Sequence, residues 1–271
     1  MRAGRLKTKR YKVRRRGGRG VVALLLAALL LAGAAYMVKE KQIPVFAAPS
    51  PTLTPAESRQ ETRTITLPAA TWYALQLGVF EQESAAKSLA ESYQGRGAAG
   101  YIDDGEHYRV LAAAYETRAD AQAVQQQLHD AHGVDAYIGE ISRPAVTIRL
   151  TGQAAQLTAL RDAYDLMDQA AAQLSALSRG LDGQEKRRED ILPQLSSLLE
   201  TVRTLTERLE RLFGEAQHRA VAEMQSMLRA LSDALSDALN AKSDVRLGAK
   251  IKYCQLLCAS RMASYALGLS P

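Results

Sequence analysis

Cysteine is nearly absent: Cys254 and Cys258 are the only two in 271 residues, too few for a disulfide-dense secreted scaffold or a four-cysteine zinc site. Histidine is scarce as well, and none of His107, His129, His132 and His218 stands in an H-E-x-x-H run or at zinc spacing from a cysteine. Nucleophile-elbow, Walker and dinucleotide glycine patterns are missing. The paired acids Asp103 and Asp104 precede Gly105 in what reads as a turn rather than a cleft. These absences argue against an enzyme and against a bound metal or cofactor.

Two further absences organise the N-terminus. Residues 1–20 hold ten Lys or Arg and no acid, so of the formal net charge of +6 the rest of the chain keeps −4; basicity is local and gives no nucleic-acid surface to the folded part. Residues 21–38 hold no charge at all and are dominated by Leu, Ala and Val, close to the ~20 residues that a helix needs to cross a bilayer. Arg14, Arg15, Arg16 and Arg19 precede this run, and Lys39, Glu40 and Lys41 follow it. The positive-inside rule then places the N-terminus in the cytoplasm and exports the remainder. Two other readings stay open at this point: a cleavable signal with a site near Val45-Phe46-Ala47, and an RNA-binding basic tail.

Residues 39–71 carry Pro44, Pro49, Pro51, Pro55 and Pro68 among scattered Ser and Thr, the composition of a disordered linker. Beyond it the chain repeats. Tyr73, Leu75, Leu77, Phe80, Glu81, Ala86 and Leu89 fall 35 positions before Tyr108, Val110, Ala112, Tyr115, Glu116, Ala121 and Val124. After a one-residue shift, Gly97, Tyr101 and Ile102 align with Gly133, Tyr137 and Ile138. Each copy reads as strand, helix, strand, so the sum is βαββαβ. That order folds as a ferredoxin-like α+β domain, a four-stranded antiparallel sheet of order 4-1-3-2 with both helices on one face. If Leu75, Leu77, Val110, Ala112, Val134, Ala136 and Ile138 pack under the helices, alternation puts Gln76, Gly78, Tyr101, Arg109, Leu111 and Tyr137 on an open far face. Amide, guanidinium and phenol groups there suit a sugar chain, whose hydroxyls need donors and acceptors and whose apolar faces pack on rings. The plain alternative is a solvated sheet side.

The strings YALQLGVF (73–80) and YRVLAAAY (108–115), each followed by a helix, resemble the SPOR (sporulation-related repeat) family. That resemblance covers about residues 71–141 and implies non-catalytic binding of denuded peptidoglycan glycan strands in cell division or sporulation. By it, Gln76, Gly78, Phe80, Tyr108 and Arg109 match family positions, while Val79 stands where Ser is usual and Ala113-Ala114 where Gly-Pro is usual. The expectation is a bacterial cell-membrane protein with one transmembrane helix and extracytoplasmic domains at 72–142 and 151–267, its partner peptidoglycan and not nucleic acid.

The second of these domains is all-α. Ile191, Leu195, Leu198, Val202, Leu205, Leu209 and Leu212 step by four and three as a heptad seam, with Asp190 and Pro193 marking a helix start. Similar stripes run from Leu157 to Leu174, Val221 to Leu239 and Leu247 to Met262, and Gly180, Gly183, Gly214 and Asn240 mark breaks. A helical bundle follows, with Cys254 and Cys258 as core packing. The alternative function is structural: a bundle that recruits a protein partner or self-associates.

Overall fold

A computed structural model describes residues 60–214 and 218–269. The basic tail, the membrane segment 21–38 and the linker up to residue 59 lie outside the described residues. Within them, no helix is long and apolar enough to cross a membrane.

The order is β1 (Gln60–Leu67), β2 (Ala70–Phe80), α1 (Glu83–Gln94), β3 (Tyr101–Asp104), β4 (Tyr108–Tyr115), α2 (Arg118–His132), β5 (Tyr137–Arg143), β6 (Val146–Gln153), then four helices. The main sheet runs β3-β4-β2-β5, antiparallel at every pairing. Counted within the duplicated unit, that is the 4-1-3-2 order expected from βαββαβ. The turn between copies falls one step later than expected, because Asp103 and Asp104 still pair with Arg109 and Tyr108.

The second helix of the duplicated unit has a local reason to start and to stop where it does. Thr117 Oγ1 accepts the Asp120 N–H at 3.1 Å, an N-cap for α2. Gly133, at φ +62, ends the helix in the left-handed region, its N–H donating to the His129 carbonyl. Glycine fits there because it has no Cβ to clash.

A second, two-stranded sheet was not expected. β1 pairs antiparallel with β6, from Gln60↔Gln153 to Leu67↔Val146. This corrects the linker: residues from Gln60 onward are ribbon, not tether. The ribbon continues the β2–β5 pair through the breaks at Pro68-Ala69 and Pro144-Ala145, since Ala70 pairs with Arg143. Its cross-strand pairs Leu67/Val146 and Ile65/Ile148 pack inward, while Thr62, Thr64 and Thr66 face solvent. Period-2 alternation holds along β1 near its end, but proline content masked it.

The helices are α3 (Ala154–Asp182), α4 (Arg188–Phe213), α5 (Arg219–Leu239) and α6 (Asp244–Leu269). Short connections make successive helices antiparallel neighbours, and the four expected stripes form the core. Met167, Leu174, Ile191, Leu195, Leu209, Met224, Leu228 and Leu235 are fully buried. Helix α4 begins at Arg188, so Pro193 sits inside it rather than at its start.

The sheet domain and the bundle are not separate bodies. One apolar cluster runs from Ala74, Ala99, Tyr101, Leu111, Ala114 and Ile141 of the sheet into the bundle core. The two modules meet through α6, which is buried on more than one side: Cys254 and Cys258 lie in the bundle seam, yet Leu256, Leu257, Ala259 and Ala263 are buried too. A clasp lies beside it. Arg143, 6% exposed, donates from Nε to the Pro68 carbonyl at 3.0 Å and from both terminal nitrogens to Asp168 on α3 at 2.5 and 2.9 Å. A cavity of about 230 Å³ opens next to this pair, lined by Trp72, Met167, Cys258 and Met262 among others.

Candidate functional site

The duplicated sheet has two faces, and pairing register decides which residue lies on which. Gln76 pairs with Leu111 and with Tyr137, but the next pair is Gly78 with Val110, so Leu77 is an extra residue in β2. Ala112 is an extra residue in β4 in the same way, because Leu75 pairs with Ala113. Each bulge inverts the in-out phase beyond it.

Two of the expected glycan contacts, Gly78 and Phe80, are therefore misplaced, and a third, Tyr108, shares the face of Val110 as plain alternation has it. Gly78, Phe80 and Tyr108 lie on the helix-covered side. A Cβ on Gly78 would stand 2.8 Å from the Phe80 ring and 3.2 Å from Leu89 of α1. Phe80 and Tyr108 pack on the cluster of Ala86, Ala90 and Val110. Uninterrupted alternation hides this, since nothing in YALQLGVF announces the extra residue.

Gln76, Tyr101, Arg109, Leu111 and Tyr137 do share the far face. That face is not open, which is the main correction: α6 of the same chain lies across it. Leu111 is 3% exposed and Tyr101 7%. The Tyr101 ring meets Tyr253 edge-on, with centroids 5.4 Å apart. Gln255 Nε2 donates to the Ala114 carbonyl at 3.0 Å, Ser260 Oγ to Asp103 Oδ1 at 3.1 Å, and Lys252 Nζ to the Gly97 carbonyl and Asp182 at 3.0 Å each. Burial pushes the Tyr101 hydroxyl up to about 12, with the Ser260 hydrogen bond opposing.

The strength of this contact follows from its residues. Removing a large apolar side chain from water contributes about 1.5–3 kcal/mol. Tyr101, Leu111 and Ile141 are each at most 8% exposed, and α6 supplies part of the cover that keeps them so.

What α6 leaves uncovered is the end of the face where β2 finishes and β5 begins. Tyr137 is 68% exposed and Val79 49%, with Gln76 and Arg109 half-buried between them. Arg109 pairs with Val79 in the ladder, and its guanidinium is held by Asp103. Arg261, exposed on α6, acts electrostatically on Tyr101 and Tyr253 at the border. Sequence reasoning missed Ser260 and Arg261, although one signal was available. From Tyr253 to Leu269 the only charged residue is Arg261, and a helix apolar all round is buried on more than one side.

Little else offers chemistry. Both thiols are fully buried, and burial raises Cys254 to about 12 and Cys258 well above its ordinary value, so neither is a poised nucleophile. Among the described residues no three His, Cys, Asp or Glu side chains gather as a metal site. His129 Nδ1 lies 3.0 Å from Asp135 at the exposed end of α2.

A small antiparallel sheet with helices on one face and a polar, aromatic-edged patch on the other is a binding module. The family model of the SPOR domain matches residues 69–138, so the chain carries a SPOR domain, as the two strings implied, over about a quarter of its length. No curated protein and no solved structure matches the chain. SPOR domains are non-catalytic peptidoglycan-binding domains associated with cell division.

Proposed function

We propose that this chain is a non-catalytic wall-binding protein of the bacterial cell membrane. Residues 21–38 cross the bilayer once with the N-terminus in the cytoplasm, and the SPOR domain contacts denuded peptidoglycan glycan strands outside, in cell division or sporulation. No cofactor is needed for such binding. The family match supports the wall-binding part of this reading, and one observation carries that part: Tyr137 and Gln76 stand side by side on adjacent strands, at the uncovered end of the sheet. An exposed phenol ring packs on an apolar sugar face, and a neighbouring amide both donates to and accepts from hydroxyl and N-acetyl groups.

Retention on purified sacculi tests it, before and after an amidase strips the stem peptides. Retention rises with denuding and falls when Gln76→Ala and Tyr137→Ala are combined. A chain that is retained in neither case does not bind wall glycan.

The burial of Tyr101 and Leu111 under α6 favours a second reading, in which the unit is a structural or interaction module whose bundle recruits a partner or self-associates. Correct localisation of the full chain carrying both substitutions would support that reading over the first.

A further inference from the structure

The wall-binding reading leaves open how much sugar such a sheet can hold, and α6 sets the limit. Resting on that reading, we propose that α6 permanently occupies most of the sheet face and confines glycan contact to a patch of disaccharide size. The patch is formed by Gln76, Val79, Arg109 and Tyr137.

The argument is geometric. Tyr101, Leu111, Ala114, Ala74 and Ile141 are all at most 8% exposed, and they extend over all four strands. Helix α6 cannot withdraw without opening the bundle, because its opposite side holds Leu247, Ile251, Cys254 and Cys258 in the bundle core. Hydrogen bonds from Lys252, Gln255 and Ser260 tie it to β4, to β3 and to the residues leading into β3. The free residues lie within three adjacent strands, at pairs Gln76↔Tyr137 and Val79↔Arg109. With strands about 4.8 Å apart and a rise of about 3.3 Å per residue, the patch measures roughly 10 Å each way. That matches two linked pyranose rings and not a strand running the length of the sheet. Its chemistry fits an acetamido-bearing sugar: one ring, one amide, one valine and an arginine already paired with Asp103.

The full chain is the material for the test, with amidase-treated sacculi as the probe and soluble glycan fragments of graded length as competitors. Tyr137→Ala and Gln76→Ala each lower retention at least tenfold. Tyr101→Phe and Leu111→Met, which lie under α6, leave it within twofold, and competition per binding site stops improving beyond a disaccharide or tetrasaccharide. Hydroxyl-radical footprinting on the unaltered chain shows protection at Tyr137 and none at Tyr101 or Tyr253. If the covered residues lose retention as the patch residues do while keeping the unaltered urea midpoint, or if affinity climbs steadily with glycan length, the occupancy proposal is wrong and the wall-binding reading survives. An unaltered chain that is not retained at all removes both.

Discussion

Replacing Asp168 by Ala isolates the clasp between the sheet and the bundle. Arg143 is 6% exposed and its guanidinium has two kinds of acceptor, the Pro68 carbonyl and both oxygens of Asp168. With Asp168 gone, one neutral carbonyl remains for a buried cation. Breaking a fully buried pair in this way costs about 3–5 kcal/mol. Asp168 is 37% exposed, so water reaches the vacated position and the cost falls to about 2–3 kcal/mol. The paired replacement Arg143→Met with Asp168→Leu removes the charge together with its partner, and it costs less than about 1 kcal/mol. Urea unfolding followed by two signals distinguishes a local from a global effect. Trp72 is the only tryptophan in the chain and lines the cavity at the clasp, so its fluorescence reports the seam, while ellipticity at 222 nm reports the helices. In Asp168→Ala both midpoints shift together, because sheet and bundle share one core. A single variant within 0.5 kcal/mol of the unaltered chain would refute the reasoning about the clasp. A fluorescence transition that precedes the helical one would show that the two modules unfold separately.

Two stability predictions accompany the binding tests. Tyr101 has its hydroxyl raised by burial from 10.0 to about 12; a raised folded-state value means stability is fully present below pH 10 and is lost as pH climbs toward 12, by about 2–3 kcal/mol for this group. Tyr164, Tyr253, Tyr265 and Cys254 shift the same way, so urea midpoints measured at pH 8 and pH 11 differ steeply; a flat profile would contradict burial of these groups. Gly100, at φ +59, has room for no Cβ, which would stand 2.8 Å from the Ala90 carbonyl and 2.7 Å from Gln94 Cγ. Gly100→Ala therefore costs about 2–4 kcal/mol, whereas Gly105→Ala, with nothing within 4 Å, stays within about 0.5 kcal/mol; equal effects at the two sites would dispose of the steric argument.

Much of the architecture was legible before any coordinates, because it depends on short-range periodicity. The spacing between Tyr73 and Tyr108 revealed the duplication, and βαββαβ order with right-handed connection rules left one sensible sheet. Leu157 to Leu174 and Ile191 to Leu212 showed their seams because a helix buries every third or fourth residue wherever it packs. Residues 60–67 hold no proline and end in an alternating Thr-Ile-Thr-Leu, but that signal is short and flanked by Pro55 and Pro68, and β1 is completed only by its pairing with β6, from Gln60↔Gln153 to Leu67↔Val146.

The site was the less legible part, for two physical reasons. A bulge is one extra residue whose effect is to invert every side chain after it, so Gly78 and Phe80 changed faces without changing the pattern of the string. Whether a sheet face is wet or covered depends on a partner element far along the chain, and the hydrophobic effect that seats α6 on Tyr101 and Leu111 has no direction and leaves no spacing to count. Repeat, strand order and helical seams thus belonged to the sequence; the β1–β6 ribbon, the phase beyond each bulge and the occupant of the far face were decided only when distant segments met.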